Sequence, residues 1–171
     1  MAEDPKLVPV RQLAATLAYR AAKVLRDVPA SFPQHSFGDV TRRPVRIVAH
    51  MADLMAWGAS IASGGFDWKP DGSDDWDREV KRFFDGLALL DASLAAEGPF
   101  NGSVEQLIQG PLADALTHVG QLSMLRGMAG APVRPESYAK AAITVGRVGL
   151  DQPPPGREFD GDASVRRKPT A

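Results

Sequence analysis

Of the three histidines in the chain, two stand where an imidazole is out of place. His118 follows Asp114 by one helical turn, in a segment otherwise rich in Leu, Val and Ala. On a wheel at about 100° per residue, Leu107, Ile108, Leu112, Ala115, Val119, Leu122 and Leu125 share one broad face. Asp114 and His118 project beside that face, about 40° apart by the same geometry. An ionised carboxylate next to a core is costly unless it is paired or bound to a metal. A carboxylate and an imidazole one turn apart can both reach a single ion. The competing reading is an Asp114–His118 ion pair at the rim of the core. His50 is the second anomaly, on an apolar stripe with Ile47, Leu54 and Trp57. One such histidine is ordinarily a hydrogen-bonded core residue. Two helices that each offer one form a stronger pattern, because bundles build metal sites from facing helices.

The remaining polar and aromatic candidates have simpler readings. His35 sits in a Pro-rich loop between Phe32 and Phe37, as a solvent-facing residue or a contact over the bundle mouth. Glu105 and Gln121 are within reach of such a site along the chain, and Glu105 and His35 are weak candidates for a general base. Trp57, Trp68 and Trp76 read as core or loop packing. Gly64-Gly65 stops a helix and does not match a phosphate-binding loop. The sequence has no Gly-x-Ser-x-Gly, no His-Glu-x-x-His and no paired-carboxylate motif.

Four helices are expected to position these residues, separated by Gly/Pro-rich breaks. The first runs from about Leu7 to Asp27 and ends before Pro29. The second begins near Thr41, with Pro44 in its first turn, where a missing N–H costs little, and stops at Gly64-Gly65. The third follows Asp71-Gly72, with Ser73 or Asp74 as its cap, and ends at Gly98-Pro99. The fourth opens on a capping-box pattern, Ser103-Val-Glu-Gln106, and runs to Ala129, with Gly130 as its stop. Pro111 inside it either kinks the helix or splits off a short first turn. A shorter helical piece is expected over Ser137–Ile143. These elements form one all-α domain over 1–145, and 146–171, with Pro153-Pro154-Pro155-Gly156, reads as an extended or partly disordered tail.

Composition narrows the chemistry further. The chain has 171 residues, 44% of them hydrophobic, which is enough for one domain with a real core. A net charge of −1 gives no electrostatic support for nucleic acid or an anionic membrane. The absence of cysteine removes disulfides, thiolate zinc sites and thiol nucleophiles, so a metal must use His, Asp, Glu or water. No window approaches eighteen apolar residues, and the first residues do not read as a signal peptide. These readings point to a cytoplasmic protein.

The segment from Arg46 to Trp57, with His50 at its centre, resembles the first histidine segment of the DinB/YfiT family. The segment from Asp114 to Arg126, followed by Gly130 and Pro132, resembles the second. That segment commonly shows two histidines one turn apart, then Gly-Gln-Leu and a Leu-Arg pair. The resemblance covers roughly residues 5–145. It implies an up-down four-helix bundle of DinB/YfiT type with a short extra helix and an extended C-terminal tail. It also implies His50 and His118 as ligands of one divalent metal, with Asp114 where the family usually has its other histidine. Two histidines and a carboxylate make a harder, more negative set that suits Zn, Ni, Mn or Fe; the same replacement also leaves room for a site without its metal. By resemblance, the function is that of a metal-dependent enzyme on a small molecule, either thiol transfer from a low-molecular-weight thiol or hydrolysis. The alternative is a non-catalytic metal- or ligand-binding stress-response module, or a structural dimer with a vestigial site. A homodimer is expected in either case, formed through an apolar patch on the first and third helices.

Overall fold

The computed structural model describes residues 4–39 and 41–159. Among them the regular structure is helical, apart from one antiparallel backbone bridge between Glu136 and Glu158. The helices are α1 (Val8–Leu25), α2 (Pro44–Ala62), α3 (Trp76–Ala95), a single turn α4 (Val104–Leu107) and α5 (Ala113–Met128). A π-helical segment, Ile108–Leu112, joins α4 to α5. None of the described helices is long and apolar enough to cross a membrane.

The core lies where α1, α2, α3 and α5 meet, and Leu17, Met51, Met55, Phe83, Leu87 and Leu122 are fully buried in it. The most extensive packing is between α2 and α3. It is close because α3 carries Gly86 at the crossing, where a Cβ would stand 2.9 Å from that of Met55. The α2 helix is therefore held against the core along its whole length, and His50 inherits that rigidity.

Three boundaries depart from the sequence reading, each for a local reason. The first helix stops at Leu25, short of Asp27, because Arg26 is extended and Asp27 takes a positive φ of 51°. The Arg126 guanidinium fills the gap by donating to the carbonyls of Val24, Arg26 and Asp27, which lack partners within the helix. The second helix keeps Pro44 in its first turn, as expected, but starts at Pro44 itself, after Thr41, because Arg43 takes an extended ψ of 148°. The cap of α3 is Asp75, whose side chain accepts from the Arg78 N–H, while Ser73 bonds to Glu79 instead.

The fourth helix breaks at Pro111, as expected, with α4 as the short first turn split off; what departs is the form of the join. Pro111 has no N–H for the carbonyl of Leu107, and Gly110 leaves helical geometry (φ −92°, ψ −105°). The ladder widens to i→i+5 bonds, which adds a residue to the turn and rotates everything after it. A wheel drawn straight through 107–125 therefore misplaces its first part, and Ile108 is 39% exposed rather than on the core face. The cap at Ser103 does form, with Oγ accepting from the Gln106 N–H.

The helical piece expected at Ser137–Ile143 shrinks to one 3₁₀ turn, Tyr138–Lys140. Residues 146–159 contain no helix, yet Val148 is buried and Glu158 is held by Lys23. Ser137 N–H donates to Arg157 O, and Phe159 N–H to Pro135 O, so this stretch pairs with the chain at 135–137. The rest of the expected tail, 160–171, lies outside the described residues.

Candidate metal centre

The three residues singled out by spacing come together across α2 and α5. His50 projects from α2, and Asp114 and His118 from the first turns of α5, beyond the π segment. One donor atom from each lies within 4.8 Å of the other two, so the trio could hold a metal ion. His118 is nearly buried, His50 is partly covered, and the Asp114 side chain is 45% exposed.

His50 Nε2 stands 3.4 Å from Asp114 Oδ2, and His118 Nε2 stands 3.3 Å from Asp114 Oδ1. Charge-assisted N–H···O bonds close to about 2.7–2.9 Å, so both contacts are slack as hydrogen bonds. Donors at about 2.0–2.1 Å from a tetrahedral ion lie about 3.3 Å from one another; the two histidine–carboxylate contacts are near that value, each to a different oxygen of Asp114. His118 Nδ1 bonds to Gln121 Oε1 at 2.7 Å, which turns Nε2 towards Asp114. Nε2 and the carboxylate oxygen are placed where they could share a metal ion.

Burial holds the His50 imidazole below its ordinary value of 6.5. The charges of His118 and Arg42 push in the same direction, against the hydrogen bond and charge of Asp114. His50 is therefore neutral at pH 7, as a metal ligand must be. The two imidazole rings meet edge to face, with centroids 4.9 Å apart.

The trio opens onto a groove of about 530 Å³, walled by Ile47, Gln121, Met124 and Leu125 and rimmed by Thr41 and Arg42. A second hollow of about 450 Å³ shares Thr41, Arg42 and His50 with the first and continues past Arg46 to Trp68. The Trp68 ring meets His50 edge to face at 5.7 Å and Trp57 at 5.9 Å. Trp57 in turn packs over Gly110, where a Cβ would come within 3.0 Å of its ring.

The other sequence candidates take different places. Gln121 does touch the site, through His118. Glu105 accepts from the Ser103 hydroxyl in the first turn of α4. His35 lies against Phe37, with ring centroids 4.5 Å apart, and lines neither hollow. Arg42 was not singled out in the sequence, and Trp68, read there as core or loop packing, lines the second hollow. Trp68 stands in a Gly/Pro-rich loop with no periodicity to give it a direction. Arg42 did leave a signal: Arg42, Arg43 and Arg46 crowd the start of α2, whose first turn has no acid, although a helix dipole disfavours cations there.

Compared with protein-family models, with curated proteins and with solved structures, the chain matches none.

Proposed function

We propose that this chain is a divalent-metal protein of the DinB/YfiT type, an up-down four-helix bundle in which His50, Asp114 and His118 hold one Zn, Ni, Mn or Fe ion for work on a small molecule. One observation carries the reading: donor atoms of His50, Asp114 and His118 gather within 4.8 Å of one another at the wall of a groove, with His118 Nδ1 committed to Gln121 and Nε2 turned to the carboxylate. An ion held by three side chains keeps open positions, where it supplies Lewis acidity to a thiol, a water or a carbonyl oxygen. The rest of the work falls to the chain. His50 and His118 supply the two nitrogen donors, Asp114 the oxygen donor, and Gln121 orients the His118 ring. Ile47, Met124 and Leu125 give the groove an apolar wall for the body of a substrate. Thiol transfer from a low-molecular-weight thiol is the leading reaction, and hydrolysis is the next.

One observation favours a second reading. Among the described residues lining the groove, the acid–base groups are the three ligands and Arg42, so a spare proton acceptor is missing. A ligand-binding stress-response module without turnover needs none. A cytoplasmic homodimer belongs to both readings.

Metal analysis of protein purified without a metal-binding tag tests the site. About one equivalent of a divalent metal is expected. His118→Ala should weaken its binding by more than about a hundredfold while the fold persists by circular dichroism. Metal-free wild-type protein that takes up none on reconstitution would overturn the reading. Turnover with a panel of thiols and esters supports the enzyme, whereas bound metal without turnover supports the binding module.

A further inference from the structure

The groove and the hollow beside it differ in charge from the rest of the site. The walls around the trio are apolar apart from the ligands, Gln121 and Thr41, whereas the shared rim is cationic. Arg43 is committed to Gln34 and Asp74, and Arg46 to the carbonyl of Gly72. Arg42 lines both hollows, and among the described residues it makes no hydrogen bond and no ion pair. The acids nearest along the hollow are already used. Asp53 takes Arg82 and the Asp71 N–H, and Asp74 faces Arg43 and Arg46. With a divalent ion in place, Asp114 cancels only half of its charge, so the whole opening is positive. A forked guanidinium that makes no hydrogen bond or ion pair among the described residues and lines the same groove as the trio suits a planar anion.

We propose that Arg42 is a specificity residue that receives a carboxylate of the substrate, so that the site takes small anionic molecules that present one end to the metal and the other to the guanidinium. The inference rests on the metal reading above and narrows its substrate class. Trp68, 44% exposed beside His50, offers the face against which the middle of such a molecule lies.

Cobalt(II)-loaded protein and two simple thiols make the test, because thiolate binding to cobalt is visible as a charge-transfer band. The probes are 3-mercaptopropionate and 2-mercaptoethanol, with 2-aminoethanethiol as the cationic control. Wild-type protein should bind the acid about five- to tenfold more tightly than the neutral thiol, and the ammonium thiol more weakly than either. The preference should shrink as salt rises, since Arg42 is solvent-facing. Arg42→Ala should lose the preference while keeping its cobalt and its affinity for 2-mercaptoethanol, and Arg42→Lys should restore part of it. Chelation of cobalt by the acid itself is the same in every variant, so the comparison isolates the guanidinium. Bound cobalt with the same preference in wild type and Arg42→Ala overturns the anion subsite alone. Protein that takes up no cobalt overturns the metal reading, and the subsite falls with it.

Discussion

Two clusters of ionisable groups face the α2 helix, and they are built on opposite plans. Around Glu79 every acceptor is filled. Its carboxylate is fully buried and takes the Ser73 N–H and hydroxyl, Arg78 and Arg82, all between 2.6 and 2.9 Å. Arg82 continues to Asp53 at 2.7 Å and to the carbonyl of Ala49. Around Asp114, half exposed, the histidine contacts are 3.3 and 3.4 Å. One cluster pairs each carboxylate with a cation at close range; the other gathers donors at longer range that could hold a metal ion. A saturated network holds a fold together, whereas loose donors at the wall of a groove leave room for a ligand.

Breaking the saturated cluster should have the largest effect. Glu79→Ala leaves Arg78 and Arg82 without their buried partner and should destabilise the protein by about 3 kcal/mol in urea unfolding. It should leave metal affinity nearly unchanged, because Glu79 does not touch the trio. A comparable loss of metal would merge two clusters that the geometry keeps apart. Next comes Gln121→Leu, which frees the His118 ring. Metal binding by equilibrium dialysis should weaken by about tenfold with little change in stability. An unchanged affinity would mean that Gln121 is a bystander.

The smallest effect is a difference in pH response. His50 is held below 6.5 when folded, so the unfolded chain takes its proton first. Stability of the metal-free protein is therefore complete above about 6.5 and declines as pH falls below it. For Glu79 and Glu136, burial alone would raise the carboxyl, but Ser73 and Arg82 in one case, and Lys23 and Tyr19 in the other, more than reverse it. Both stay ionised below their ordinary value of 4.5, so their contribution persists above that value and is lost as pH falls further. His50→Gln should remove the upper decline and leave the lower one. An upper decline that survives in His50→Gln assigns it to another group.

The helical architecture was legible because it depends on periodicity and breakers, which are local. The same holds for Asp114 and His118, which share one unbroken helix, so a wheel aims them correctly relative to each other. His50 was legible as a misfit on an apolar stripe, but its distance from the pair depends on the α2–α5 packing. The cap of α3 could not be read from Ser73, Asp74 and Asp75 alone, because a buried carboxylate claims Ser73 from outside the local sequence. Ile108 was misplaced for a related reason: Pro111 was visible, but the extra residue its missing bond admits into the turn was not. Arg42 gave its signal in the wrong currency for a pattern search, as a cation where helix electrostatics argues against one.

The wide turn at 108–112 has a consequence for how the centre endures change. It uncouples the azimuth of α5 from that of α4, much as a flexible joint separates two shafts. The capped stub beginning at Val104 can drift in sequence and in angle without swinging the donors of α5, whose bearing is set afresh after Leu112. The residues that aim Asp114 and His118 are thus Gly110, with the Trp57 indole pressed over it, and Pro111, which packs beside Gly58 of α2.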